Sequence, residues 1–140
     1  MSQVKHGKRG SRGNKRRGAL YEAAFNYYAQ KTGSEVFTSN ADYSVIDAIV
    51  VSEMRRIYRV QIKGTEQTKV VTVKTTRGAN LEKLNKDEYD VLAVFAAAYN
   101  IWYLIPSHMV NARQRLKIYP MFPDSQGQYE MYRDNWKIFK

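Results

Sequence analysis

Hydrophobic and polar positions follow two periods along the chain, one typical of a helix and one typical of strands. Between residues 16 and 31, apolar and aromatic side chains recur every three or four positions, and Thr32-Gly33 ends the pattern, which predicts a helix. Residues 35–38 predict a short strand, and residues 44–51 are apolar at almost every position. A strand without alternation is typical of the centre of a sheet that is covered on both faces.

The rest of the chain consists of short apolar runs between polar turns, a pattern that predicts further strands. These strand predictions cover residues 57–64, 70–74, 90–97 and 101–105. The last two runs flank Tyr99-Asn100 and predict a hairpin. A short helix or loop is predicted at 81–87 and a short helix at 107–115. The order of elements, α-β-β-β-α-β, predicts an α/β fold with a mixed β-sheet flanked by helices.

Charge divides the chain into an arm and a domain. Lys and Arg number 23 and Asp and Glu 13 in 140 residues, a net charge of +10, and residues 1–17 hold seven of the basic residues and no acid. We predict that residues 1–15 form a disordered basic arm that contacts nucleic acid, with a solubilising tail as the alternative. Residues 16–140 are long enough for one domain.

Composition excludes several classes of site. With no Cys and two His, the chain cannot build a disulfide scaffold, a Cys-ligated zinc site, an iron–sulfur cluster, a thiol nucleophile or a His-rich metal centre. No apolar run approaches the roughly 18 residues of a membrane span, and no signal-peptide core is present. We therefore expect an intracellular protein, without a membrane partner, that attracts polyanions.

Asp47 is the residue that least fits its surroundings. An ionised carboxylate in an apolar strand costs several kcal/mol unless it is paired or bound to a metal. A tight turn after the strand places Asp47 opposite residues 60 and 61, but spacing leaves open whether Asp47 and Gln61 share a face. One interpretation is a buried ion pair between Asp47 and Lys63. The other is a cation site formed by Asp47, the Gln61 amide oxygen and the Ile62 carbonyl, beside which Lys63 acts on a water or a phosphate.

Three further residues could take part in chemistry. Helical periodicity places Glu22 away from the predicted apolar stripe of Leu20, Ala24 and Tyr28, a pattern typical of a solvated glutamate. Asp42 is a second carboxylate close to Asp47, but it occurs in a turn-like stretch and is the less suitable ligand. His108 has no second histidine near it, which favours a structural role.

The spacing of these residues resembles a known family. Asp47, then thirteen residues, then Gln61-Ile62-Lys63 is similar to the core of the PD-(D/E)XK nuclease superfamily in its variant with Gln. Residues 57–64 resemble a strand of archaeal-type Holliday-junction resolvases and of intron-encoded homing endonucleases of cyanobacteria. Glu22 resembles the helix glutamate of the resolvase-like branch, and residues 90–106 resemble the hairpin that follows this core. The resemblance covers about residues 16–106.

The resemblance implies a restriction-endonuclease-like core and a DNA endonuclease that depends on Mg²⁺ or Mn²⁺. It implies that Asp47, Gln61, the Ile62 carbonyl and Glu22 hold the metal, and that Lys63 positions or activates the attacking water. Two departures from the pattern are present. Ile46 stands where Pro is usual, and Gln61 replaces an acid, which weakens metal binding or shifts it to Glu22 and Asp47.

The resemblance also implies partners. A site-specific homing or restriction-like enzyme is the first expectation, a Holliday-junction resolvase is the second, and a non-catalytic nucleic-acid-binding module is the alternative from another class. The residues expected to contact DNA phosphates are Arg16, Arg17, Lys69, Lys74 and Arg77. Cutting two strands with one site per chain implies a homodimer or a larger symmetric homo-oligomer, for which the aromatic C-terminal segment is a candidate interface.

Overall fold

The computed structural model describes residues 6–41, 44–77, 82–83, 87–111, 115–123 and 126–140. These residues contain one α-helix, α1 (His6–Lys31), and nine strands. The strands are β1 (Glu35–Thr38), β2 (Ala48–Val51), β3 (Ile57–Thr65), β4 (Val71–Lys74), β5 (Thr76–Arg77), β6 (Glu82–Lys83), β7 (Val91–Ala96), β8 (Ile101–Pro106) and β9 (Arg115–Ile118). Single 3₁₀ turns occur at Ala97–Tyr99, Ser107–Met109, Glu130–Tyr132 and Trp136–Ile138.

Five strands form a mixed sheet in the order β1-β2-β3-β7-β8. The pair β3–β7 is parallel and the other pairs are antiparallel. Every residue of β7 is buried, which agrees with its near-continuous apolar sequence and its position between two strands. Two smaller sheets accompany this one: β5 pairs with β6, and β4 pairs with β9 to form what we call the β4–β9 ribbon.

The central sheet is covered on both faces. On one face, Phe25 and Ala29 of α1 pack in a core with Val60 and Ile62 of β3. On the other face, the inner residues of the β4–β9 ribbon pack in a second core that includes Leu92 and Val94 of β7. Those inner residues are Val71, Val73, Leu116 and Ile118. The residues of β3 therefore alternate between a helix-facing row and a ribbon-facing row.

The predicted α/β fold with a mixed sheet is confirmed, and two helix predictions are corrected. α1 begins at His6 rather than at residue 16, because the sequence of residues 6–15 has no apolar stripe that periodicity could detect. Of the helix predicted at 107–115, Ser107–Met109 form a 3₁₀ turn, residues 112–114 lie outside the described residues, and Arg115 begins β9, which pairs with β4. The described part of 81–87 contains the short strand β6. The boundary between arm and domain at residue 15 remains a prediction.

The aromatic C-terminal segment packs on its own chain. Phe139 is 5% exposed, and its ring centroid lies 6.0 Å from that of Phe25 and 5.4 Å from that of Tyr58. Tyr129 and Tyr132 are also buried. These three side chains are therefore part of the domain core, and an oligomer interface on the C-terminal segment remains a prediction. Along the described part of the chain, α1 lacks the apolar character that a membrane-spanning helix needs.

Candidate active site where β2 leaves β3

Asp47 lies directly before β2, at the point where this strand diverges from β3. The last regular pair is Ala48 with Val60, so the register carried one step further places Asp47 opposite Gln61. There the ladder changes: the Asp47 N–H donates to the Val60 carbonyl at 2.9 Å, and the Ile62 N–H donates to Asp47 Oδ2 at 2.7 Å. The Asp47 carboxylate has thus replaced a backbone carbonyl as the partner of β3.

Gln61 and Lys63 extend from β3 on the ribbon-facing row, since Val60 and Ile62 face the helix. Gln61 is buried and Lys63 is half-buried. In a strand the N–H and C=O of one residue point to the same edge, so the Ile62 carbonyl lies on the same edge as its N–H, towards Asp47. The register thus places Asp47 opposite Gln61, and the Asp47 carboxylate contacts the backbone of Ile62.

Burial and neighbouring charges perturb both ionisable groups. Burial raises the pKa of Asp47 from 3.8 to about 6; the Ile62 hydrogen bond and the charge of Lys63 oppose this rise, and the charge of Glu22 adds to it. Burial lowers the pKa of Lys63, the positive charge of Lys74 lowers it further, and Asp47 opposes the shift. The charges of Glu22 and Lys63 are therefore close enough to act on Asp47, and the charge of Lys74 is close enough to act on Lys63.

Glu22 is close enough for its charge to act on Asp47, and it is half-buried where periodicity predicts a solvated glutamate. The buried stripe of α1 is Tyr21, Phe25 and Ala29, whereas Leu20 is 59% exposed. Glu22 is spaced three and seven residues from Phe25 and Ala29, so it lies at the margin of the buried face. It is half-buried, and burial raises its pKa. The sequence contains two overlapping apolar stripes, and the structure buries the one formed by Tyr21, Phe25 and Ala29.

An internal ion pair between Asp47 and Lys63 is absent. The ion pairs within 4.0 Å between described residues are Arg55–Glu35, Arg59–Asp90 and Arg133–Glu130. Asp47 and Lys63 interact at longer range, and burial remains the largest cause of the pKa shift of each. Ionisable groups whose pKa values are shifted by burial and neighbouring charges are candidates for a functional site.

The donor atoms fit a hard divalent cation. No group of three or more His, Cys, Asp or Glu suited to a metal occurs in the described residues. Asp47, Glu22, the Gln61 amide and the Ile62 carbonyl all offer oxygen, the ligand that Mg²⁺ prefers. Mg²⁺ typically binds one or two carboxylates and keeps several waters, so this set is sufficient in number.

A groove of about 700 Å³ adjoins Lys63, between α1 and the end of β3. Asn14 and Arg17 line its helix side, and Thr65 and Gln67 line its strand side. Arg16 is exposed on the same helix, and Lys69 and Lys74 are exposed beyond β3. The side chain of Arg77 and the whole of Asp42 lie outside the described residues. His108 is exposed, in the 3₁₀ turn after β8.

Gly64 and Tyr21 form a close contact that the sequence interpretation missed. A Cβ at position 64 would lie 2.2 Å from Cδ2 of Tyr21, and the Tyr21 hydroxyl donates to Glu66 Oε1 at 3.1 Å. Tyr21 directly precedes Glu22, and Gly64 directly follows Lys63. The contact therefore holds α1 in the position that brings Glu22 to the site. A glycine inside a strand, which often marks close approach of another element, was the available signal.

We predict that Gly64→Ala lowers the free energy of unfolding by about 1–3 kcal/mol, because the added methyl group displaces the Tyr21 ring. Urea unfolding measures this change. Gly13→Ala is the matched control, since a Cβ at Gly13 meets nothing within 4 Å, and alanine favours a helix by about 0.5–1 kcal/mol. Equal stability of the two variants would show that the contact does not constrain the helix.

The architecture is that of the restriction-endonuclease-like fold. A mixed five-stranded sheet has a helix on one face, and polar residues lie where two of its strands diverge. The chain is similar to the bacterial homing endonuclease I-Ssp6803I, with a TM-score of 0.73, 17% identity, and 89% of this chain and 90% of that chain covered. It is also similar to Hjc, a Holliday junction resolvase of the archaeal hyperthermophile Archaeoglobus fulgidus. That match has a TM-score of 0.53 and 12% identity, and covers 82% of this chain and 88% of the other.

Sequence comparison adds no closer relative. No protein-family model matches the chain, nor does any curated protein. At the identities of the two structural matches, the likeness is one of fold. It confirms the predicted resemblance in architecture, and the roles of individual residues depend on the geometry of the site itself.

Proposed function

We propose that the protein is a metal-dependent endonuclease that hydrolyses phosphodiester bonds in DNA. The observation that carries this proposal is the convergence of Asp47, Gln61 and Lys63 where β2 leaves β3, with Glu22 added from α1. Carboxylate, amide and ammonium groups brought together without an internal ion pair suit a cation and a phosphate. The two similar structures are a homing endonuclease and a Holliday junction resolvase, which supports the same class of reaction.

Each residue has a distinct role in this proposal. Asp47, Gln61 and the Ile62 carbonyl would hold Mg²⁺ or Mn²⁺, with Glu22 in support, and the cation would supply charge stabilisation to the phosphate. The Ile62 N–H fixes the orientation of the Asp47 carboxylate through its hydrogen bond to Oδ2. Lys63, on the same row of β3 as Gln61, positions the attacking water or donates to a phosphate oxygen. Its lowered pKa makes proton exchange easier near neutral pH.

Within DNA nucleases we favour a site-specific double-strand endonuclease over a junction resolvase. The similarity to the homing endonuclease has the higher TM-score and covers more of both chains. Because the described part of each chain offers one such site, cutting both strands requires a homodimer or a larger symmetric oligomer.

The test is nicking of supercoiled plasmid, of a linear duplex library and of a four-way junction, each with Mg²⁺ and with EDTA. We expect cleavage with Mg²⁺ and none with EDTA, and discrete products from the duplex library. Cleavage of the junction irrespective of its sequence, without discrete duplex products, would support the resolvase instead. Binding without cleavage in Mg²⁺ and in Mn²⁺ would overturn the enzymatic proposal.

The second candidate, a non-catalytic DNA-binding module, is favoured by one observation. Gln61 stands where an acid would complete a three-carboxylate group, and the described residues contain no such group. A binding module predicts an affinity for DNA that is independent of Mg²⁺. Restoring the acid with Gln61→Glu separates the two possibilities, because it adds a ligand charge and should increase metal affinity only where a metal site exists.

A further inference from the structure

The outer face of the β4–β9 ribbon is a row of exposed basic side chains. In this pairing Thr72 is opposite Lys117, and Lys74 is opposite Arg115. Lys74, Arg115 and Lys117 are exposed, whereas the intervening residues of both strands are buried in the core. The ribbon is therefore amphipathic, with an apolar inner face and a polar outer face that carries three positive charges and no negative charge.

This charge pattern is unfavourable for the ribbon on its own. Like charges directly opposite each other in an antiparallel pair destabilise it, and Lys74 and Arg115 occupy such positions. None of the three basic residues has an ion pair within 4.0 Å to another residue of the described ranges. A row of uncompensated positive charge on a rigid element is characteristic of a surface that meets an anionic partner.

Amide side chains flank the basic row. A groove of about 410 Å³ beside β9 is lined by Arg115 and Lys117 together with Asn111, Gln126 and Gln128. The three amide residues are exposed. Arg and Lys pair with guanine edges, and Asn and Gln pair with adenine edges, in the major groove of DNA. The surface thus combines groups that hold phosphates with groups that can read bases.

The ribbon is close to the candidate active site. β4, which ends at Lys74, follows β3 along the chain and contacts it, so the basic row begins beside the strand that carries Gln61 and Lys63. The inner face of the ribbon covers the face of the central sheet on which Gln61 and Lys63 lie. DNA held along the outer face would therefore lie on the same side of the central sheet as Gln61 and Lys63.

We propose that the β4–β9 ribbon enters the major groove of duplex DNA, with Arg115 and Lys117 contacting the DNA there and Lys74 continuing the contact towards the active site. A two-stranded ribbon fits the B-form major groove, which is about 12 Å wide, whereas the major groove of double-stranded RNA is too narrow for side chains to read. This proposal names the DNA-contacting surface of the proposed nuclease and rests on that function.

The test measures binding in EDTA, so that no cleavage is needed, with a 30-base-pair random-sequence duplex. Arg115→Gln/Lys117→Gln is compared with a control of equal charge change, Lys31→Gln/Lys137→Gln, whose residues are exposed elsewhere. We expect the ribbon variant to bind at least about tenfold more weakly at 150 mM salt. The slope of the logarithm of the association constant against the logarithm of the salt concentration should decrease in magnitude by about two. Protection of guanine N7 from dimethyl sulfate should be lost only in this variant.

Other outcomes of these measurements would overturn the ribbon proposal or the nuclease proposal separately. Equal weakening by both double variants, or unchanged guanine N7 protection, would overturn the ribbon proposal. Preferred binding of double-stranded RNA by the same residues would also overturn it. If the wild type never nicks DNA but the ribbon variant still loses binding, the nuclease proposal fails and the ribbon proposal stands. If the ribbon variant binds and cleaves like the wild type, only the ribbon proposal fails. Thermal unfolding of both variants confirms that each remains folded.

Discussion

Replacing Lys63 with methionine is expected to lower the single-turnover rate of DNA cleavage by about 100- to 1000-fold, the usual effect of removing one positioned donor at a reacting phosphate or acyl group. Lys63 is half-buried on the same row as Gln61, and methionine keeps its apolar stem while removing the ammonium group. Because binding rests on the surrounding basic surface, the affinity for uncut DNA should change only a few-fold.

Two companion variants make this result specific. Lys137→Met removes an exposed charge in the C-terminal segment and should cleave like the wild type. Lys63→Arg keeps the positive charge, but the guanidinium group cannot lose a proton near neutral pH. Partial activity of Lys63→Arg would indicate that charge is the main contribution, whereas complete loss would indicate proton transfer to or from the attacking water. Cleavage by Lys63→Met at the wild-type rate would show that Lys63 has no part in the reaction.

The strands that carry the site were predictable because they depend on local pattern. The apolar run before Asp47 and the alternation of residues 57–64 produce β2 and β3, and the short turn between them sets the register of the hairpin. Spacing alone could not give the irregular step at Asp47, because a carboxylate that accepts from the Ile62 N–H leaves no trace in the order of apolar residues.

Long-range relationships escaped prediction for a different physical reason. The β4–β9 ribbon pairs Lys74 with Arg115, two residues far apart in sequence, and its charged face contradicts the cross-strand pairing that local rules favour. Likewise, the orientation of α1 depends on the packing of the Tyr21 ring against Gly64, which is a tertiary contact. The position of Glu22 follows from that contact, so helical periodicity by itself assigned it to solvent.

Asp47→Asn is expected to abolish cleavage and also to make the protein more stable at neutral pH. Folding raises the pKa of Asp47 from 3.8 to about 6, so the ionised form is less favourable in the folded state. The stability associated with this group is fully present below pH 4 and is lost as the pH rises through 6. Asparagine never ionises and can still accept from the Ile62 N–H, so it removes this loss.

The gain for Asp47→Asn should be on the order of 2 kcal/mol at pH 8, after allowance for partial solvent exposure, and should vanish near pH 4. Urea unfolding at the two pH values measures it, and Glu53→Gln, an exposed acid, is the control. Addition of Mg²⁺ should raise the unfolding temperature of the wild type and leave that of Asp47→Asn unchanged, because a ligand stabilises only the state that binds it. If the buried Asp47 carboxylate destabilises the folded protein but binds the metal, Asp47→Asn should be inactive, more stable and insensitive to Mg²⁺. Equal stability of Asp47→Asn and the wild type at pH 8 would contradict this explanation.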